Sequence, residues 1–179
     1  MRALVVYESM FGNTRDIAYA VASGLQESVP TDVVEVGTAP TFFGAEIGLL
    51  VVGGPTHAFG LTRPSTREDA ANRTGRELVS ARIGIREWLS AIDRSPTRIS
   101  AATFDTKAQH PRLPGSAARA AHKRLRWLRF RPIAAPETFY VADMTGPLVD
   151  GELDRARGWG RRLGTAWAEG SQRASTGKG

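Results

Sequence analysis

The stretch Ala3-Leu4-Val5-Val6-Tyr7-Glu8-Ser9-Met10-Phe11-Gly12-Asn13-Thr14 decides how the rest of the chain is read. The apolar run from Ala3 to Tyr7 predicts a buried strand, and the amphipathic residues from Arg15 to Gln26 predict a helix. Between them, Ser9 to Thr14 form a turn that carries hydroxyls, an amide and a glycine. A helix N-terminus has unpaired N–H groups and about half a positive charge, so such a turn suits a phosphate. Ser9 and Thr14 would donate through hydroxyls and Asn13 through its amide, while Gly12 lets backbone approach a ligand closely. The Gly-Lys-Ser/Thr ending of a Walker A loop is missing, as are the three spaced glycines of a dinucleotide fingerprint. Neutral donors without a lysine point to a phosphomonoester of the mononucleotide type. The same residues also cap ordinary helices, so this stretch alone leaves both readings open.

Further along, apolar runs alternate with helical periodicity. Asp32 to Val36 is half apolar and predicts an edge strand, whereas the continuous run Ile47 to Gly53 predicts a central one. Ile99 to Phe104 is a fourth strand. Ile133 to Ala135, resuming at Thr138 to Ala142, is a fifth and interrupted one. Helical stripes fall at Ile17, Ala18, Val21, Ala22 and Leu25; at Ile85, Trp88, Leu89 and Ile92; and at Ala118, Ala121, Leu125 and Leu128. A last stripe comprises Leu153, Ala156, Gly160, Leu163 and Trp167. Strands separated by helices predict an α/β protein with a doubly wound five-stranded parallel sheet in the order 2-1-3-4-5. Such sheets bind ligands at the carboxyl ends of their strands, where the order reverses. Residues 1–169 read as one domain, residues 170–179 as a disordered polar tail, and Arg63 to Ser80 as a long loop with one short helix.

Two more turns therefore belong with the first. Gly53-Gly54-Pro55-Thr56-His57-Ala58-Phe59-Gly60 follows strand three and could carry a planar ring, with backbone groups reading its edge. Asp105-Thr106-Lys107 follows strand four. On these three motifs the chain resembles the flavodoxin-like family, over about Arg2 to Glu169. Ser9 to Thr14 is similar to the family's T/S-x-T-G-x-T phosphate loop, with Phe11 at the middle Thr. Gly53 to His57 resembles its second loop, and Phe104-Asp105-Thr106 the start of its third. Gly146-Pro147-Leu148 and Gly151-Glu152-Leu153 are similar to stretches of single-domain actinobacterial members. The resemblance implies FMN as cofactor. Ser9, Met10, Phe11, Gly12, Asn13 and Thr14 would wrap its phosphate; Pro55, Thr56, His57, Ala58, Phe59 and Gly60, with Asp105, Thr106 and Lys107, would flank its ring. Electron-carrying members place a Trp and a Tyr beside the flavin and are acidic. Here only Phe59 is available, and Lys107 stands where an aromatic is expected.

Composition bounds the function. The chain has 179 residues, 41% apolar and 23% charged, an ordinary globular balance. No run approaches the roughly 20 apolar residues of a membrane span, and no secretory leader is visible, so a cytoplasmic protein is expected. Cysteine is absent, which excludes disulfides, thiolate metal sites and thiol nucleophiles. His57, His110 and His122 lack ligand spacing, so no metal is expected. A phosphoacceptor receiver domain would need an Asp where Gly53-Gly54-Pro55 ends strand three.

The net charge of +6 is concentrated in Arg112, Arg119, Lys123, Arg124, Arg126, Arg129 and Arg131. This run is either a solvated face of an Arg-rich chain, the favoured reading, or a docking helix over Arg119–Arg131 for an acidic partner. No nucleic-acid module accompanies it. The expected function is electron transfer through bound FMN to a redox protein or a small-molecule acceptor. The alternatives are an NAD(P)H-dependent quinone or small-molecule reductase roofed by Arg63–Ser80, and a non-flavin binding module with a basic docking helix. Arg63, Arg67 and Lys107 are expected to place positive charge beside the ligand.

Overall fold

The computed structural model describes residues 1–57, 59–75, 77–93, 99–110 and 114–176, with side chains up to residue 171. The strands are β1 (Arg2–Tyr7), β2 (Thr31–Glu35), β3 (Ile47–Pro55), β4 (Ser100–Ala108), β5 (Arg131–Pro132) and β6 (Glu137–Val141). The helices are α1 (Asn13–Leu25), α2 (Pro64–Thr74), α3 (Ile85–Ala91), α4 (Ala117–Trp127) and α5 (Glu152–Thr176). The sheet runs β2-β1-β3-β4-β5, and every one of these pairings is parallel. β5 pairs with Ser100 and Ala101, and β6 with Phe104 through Ala108. The two short strands thus share one side of β4 as an interrupted fifth strand, but its first half is Arg131–Pro132, and Ile133 to Ala135, expected to form it, lies in no strand. Pro132 and Pro136 bracket the break, where a residue without an N–H cannot extend the ladder.

Alternation along the strands splits the core into two layers. Leu4, Val6, Leu50 and Val52 face Ile85, Trp88, Leu89 and Leu125. Ala3, Val5, Leu49 and Val51 face Ile17, Val21, Leu25, Trp159 and Leu163 on α1 and α5. Leu153 leaves the stripe assigned to it and is 44% exposed. α5 continues to Thr176 through residues whose composition reads as a tail.

Two strands are longer than their apolar runs. β3 includes Gly54 and Pro55, and β4 includes Asp105 to Ala108, because Gly54 pairs with Asp105 and Pro55 with Thr106. Gly53 sits inside this ladder, and its missing side chain accommodates a neighbour: a Cβ there would fall 2.0 Å from the Phe104 ring.

α1 and α5 approach closely through reciprocal glycines. A Cβ on Gly24 would lie 2.0 Å from the Arg157 carbonyl oxygen, and one on Gly160 would lie 2.1 Å from that of Val21. Gly24→Ala or Gly160→Ala should therefore lower stability by about 1–3 kcal/mol, since overpacking against rigid backbone cannot relax by a rotamer change. Gly158 meets only arginine side-chain ends, so Gly158→Ala should stabilise by about 0.5–1 kcal/mol. Thermal denaturation of the three variants checks both signs.

Candidate functional site

The turn after β1 is shaped by its own residues and by the segment after α2. Gly12 takes φ 98°, in the left-handed region, and starts α1 with no side chain capping the helix. Its N–H donates to Ser9 Oγ (3.1 Å). The Ser9 N–H donates to Ser80 Oγ (3.1 Å), the Ser80 N–H to the Ser9 carbonyl (2.8 Å) and the Val79 N–H to that of Met10 (3.0 Å). The Met10 side chain packs on Ala70 and Leu78. Thr14 and Thr106 share a hydroxyl hydrogen bond of 2.7 Å, and Asn13 Nδ2 donates to the Thr145 carbonyl (3.1 Å).

At the end of β3, the Thr56 N–H donates to the Thr106 carbonyl (2.8 Å). His57 and Gly60 exchange backbone hydrogen bonds of 3.0 and 3.2 Å, closing a tight turn in which Phe59 has φ 78° and is 63% exposed. At the end of β4, buried Asp105 accepts from Thr56 Oγ1 (2.8 Å), Ser116 Oγ (2.6 Å) and the Ala118 N–H (2.9 Å). Lys107 Nζ donates to the Gly115 carbonyl (3.0 Å).

These turns surround a cavity of about 310 Å³. Ser9, Met10, Phe11, Asn13 and Thr14 line it from the first turn, Pro55, Thr56, His57 and Phe59 from the second, and Thr106 and Lys107 from the third. Three expected residues do not line it. Gly12 serves the helix start, Gly60 the His57 turn, and Asp105 binds the N-terminus of α4, where a carboxylate complements unpaired N–H groups. Ala58 lies outside the described residues.

The sequence gives the α2 wall only as a segment, Arg63–Ser80 roofing the site in the reductase alternative, and names none of the residues that line it. Thr66, Asp69, Ala70, Arg73 and Thr74 of α2 line the cavity, as do Val141, Met144 and Thr145 after β6. The 3–4-residue spacing on α2 was visible, but not the direction in which that face points. Arg67 is not at the cavity. It is 3% exposed, with Nη1 donating to Thr62 Oγ1 (2.9 Å) and Glu87 Oε2 (3.2 Å). Arg63 is exposed and also lies off the wall, so Arg73 supplies the charge expected from these two.

His57 lies between Arg73 and Asp69 electrostatically. Burial and the Arg73 charge hold its imidazole below the usual pKa, opposed by Asp69, and its buried Nδ1 has no hydrogen-bond partner. The expected basic helix ends at Trp127, so Arg129 and Arg131 fall beyond it, Arg129 in a left-handed turn and Arg131 on β5.

No family model matches the sequence, and no curated protein matches it. Solved structures do. A flavodoxin from the domain Archaea superposes with a TM-score of 0.66 at 18% identity, covering 94% of this chain and 99% of that one. Flavodoxin 2 from Bacillus cereus gives 0.65 at 18% identity, covering 94% and 99%. A flavodiiron core from Synechocystis gives 0.60 at 17% identity, covering 95% of this chain and 36% of that one. The chain has the flavodoxin-like fold.

In this flavodoxin-like chain a buried carboxylate adjoins the first turn. Glu8 is fully buried, accepts from the Thr62 hydroxyl and from the Ile85 N–H (2.8 Å), and faces Arg67. Burial pushes its carboxyl above the ordinary 4.5, against the opposing pull of both hydrogen bonds and Arg67. A folded-state value above the unfolded one means that the folded chain holds the proton longer. Stability from this group therefore declines as pH rises from 4.5 through the raised value. The urea midpoint of the native protein should fall relative to Glu8→Gln as pH increases above 4.5. A gap that does not change with pH would mean that Glu8 is ionised throughout.

Proposed function

We propose that the chain binds FMN and transfers electrons through it, to a redox protein or a small-molecule acceptor. The observation that carries this reading is the single cavity shared by a neutral hydroxyl-lined helix start and apolar ring-sized walls. Ser9 and Thr14 are buried at the uncapped N-terminus of α1, the donor set a phosphomonoester needs. Phe11, Phe59, Val141 and Met144 supply the apolar contacts, and the unpartnered His57 Nδ1 suits a polar ring edge. A bound flavin would supply one-electron or hydride chemistry; the chain binds, orients and charges it.

The α2 wall favours a second reading, an NAD(P)H-dependent small-molecule reductase, because it adds a lining of its own to the cavity beside the three turns. Oxidation of NAD(P)H with benzoquinone as acceptor separates the two. Arg119, Lys123 and Arg126, exposed on α4, support an acidic protein partner. Among the described residues no helix is long and apolar enough to cross a membrane.

Flavin fluorescence titration tests the assignment. Thr14→Val keeps the packed shape and removes the hydroxyl, so it should weaken FMN about 10- to 100-fold and leave riboflavin unchanged. Equal affinity of the native chain for FMN and riboflavin would sink the phosphate assignment. Lys107 lines the same cavity, and an ammonium near a reduced, anionic flavin favours reduction. Lys107→Glu should move the flavin's lowest potential more negative, on the order of tens of millivolts. Anaerobic reductive titration reads that shift, and an indifferent potential would place Lys107 too far from the ring.

A further inference from the structure

The amino ends of the strands carry a surface that the cavity, at their carboxyl ends, does not use. β5 pairs with Ser100 and Ala101 at the start of β4, whereas the cavity takes Thr106 and Lys107 from its end. From Ser100 to Thr106 a strand spans about 20 Å. α4 covers the same distance in reverse. It starts at the cavity edge, where the Ala117 N–H donates to Thr56 Oγ1 (2.8 Å). Beyond its last residue, Trp127, the chain reaches the far end, where the Arg131 N–H donates to the Ile99 carbonyl (2.9 Å).

That far end is basic. Arg126, Trp127, Arg129 and Arg131 are exposed there, and no Asp or Glu occurs between Asp105 and Glu137. Among the described residues none of these arginines makes an ion pair. Unopposed like charges repel, so the cluster costs stability in the free chain. Arg124 lies over the Trp127 ring, 4.2 Å from its centroid, yet the Trp127 side chain stays 54% exposed. A second aromatic joins from another element. Phe42, 75% exposed, stands shortly before β3, and the next residue, Phe43, is buried with its ring edge-on to Phe130 at 5.8 Å. Phe130 sits between Arg129 and Arg131, so Phe42 belongs to the same end of the molecule. The exposed acids nearby, Glu46 before β3 and Asp93 after α3, pair with none of the arginines.

Lasting recognition of an acidic protein matches charges one by one over about 800 Å² a side. A bilayer asks less of shape: summed positive charge, and aromatic side chains able to enter the headgroup layer. Arginines spread over α4, the turn after it and β5, with one aromatic on α4 and another before β3, meet the second requirement. We propose that this end of the molecule docks on an anionic lipid bilayer. Arg126, Arg129 and Arg131 meet the headgroup charge, and Trp127 and Phe42 enter the headgroup layer. Attachment by this end turns the cavity away from the lipid, so its ligand arrives from solution. Neither bound FMN nor an acidic protein partner, which Arg119 and Lys123 nearer the cavity would serve, is required.

Sedimentation with vesicles of phosphatidylglycerol in phosphatidylcholine, and with vesicles of phosphatidylcholine alone, tests the docking. The full chain should bind the anionic vesicles about tenfold or more the tighter, and rising salt should erase the difference. Each cation beside an anionic surface is worth about fivefold, so Arg129→Gln together with Arg131→Gln should weaken that binding about 25-fold. Arg63→Gln together with Arg82→Gln removes equal charge from exposed positions elsewhere and should weaken it by less than about twofold. A second measurement leaves every arginine in place. Because the chain lacks cysteine, Phe42→Cys and Met144→Cys each accept a single environment-sensitive dye. On anionic vesicles the dye at position 42 should shift its emission to the blue; the dye at position 144, on the cavity wall, should not. Equal binding to both kinds of vesicle, equal losses for the two arginine pairs, or a blue shift at 144 and not at 42 would overturn the proposal. Binding of polyglutamate or of a DNA duplex through Arg129 and Arg131, with no binding to vesicles, would overturn it too, by giving the surface to an acidic protein or to nucleic acid.

Discussion

The parallel ladder joining β1, β3 and β4 is the constraint on which the rest of the structure depends. All three strands run the same way, so their carboxyl ends leave the sheet along one edge. The chain reverses its direction of winding between β1 and β3, sending α1 to one face and α3 to the other. Turns distant in sequence are thereby brought together without any contact having to recruit them. The ladder persists through Gly54↔Asp105 and Pro55↔Thr106, past the end of the apolar runs. That extension carries Thr106 to hydrogen-bonding distance of Thr14, at 2.7 Å, and ties the first and third turns into one wall.

A second, local constraint holds the α2 wall in place. Glu8, Thr62, Arg67 and Glu87 form a buried polar network beneath α2, and Gly84 leaves it room: a Cβ there would lie 2.5 Å from Arg67 Nη1. Burying a carboxyl and a guanidinium is costly unless their donors and acceptors are met, and here Arg67 Nε remains unpartnered. What the network contributes is position. Arg67 stands on the flank of α2 beside the cavity-lining residues, so its burial helps to fix how that helix is turned. The Ser9–Ser80 exchange then fastens the far end of the same segment to the first turn.

The cavity consequently has two chemical characters. The wall at the start of α1 offers neutral hydroxyl and backbone groups. The α2 and β3 walls add the charged residues Asp69 and Arg73, an exposed ring and an imidazole whose pKa is held down by burial and by Arg73. Only the first of these could be supplied by a strand–turn–helix unit acting alone. The second needs the helix α2 that stands between β3 and α3.

By itself the sequence determined the strand order, the two-faced core and the first turn, because these rest on local periodicity and on turn chemistry confined to a few adjacent residues. The half-apolar pattern of β2 and the unbroken apolar run of β3 assign edge and centre without knowledge of any partner, and Ser9 to Thr14 carry their own donors. The tertiary structure decided what periodicity cannot express. It lengthened β3 and β4 through backbone pairing, turned Asp105 away from the cavity to the start of α4, and moved Leu153 into solvent. It also exchanged Arg67 for Arg73 as the cavity's arginine. The two stand six residues apart on one helix with the same charge, and nothing in their types tells them apart. The partners that the fold gathers, Thr62 and Glu87 with Glu8 close by, take Arg67 inward and leave Arg73 lining the cavity.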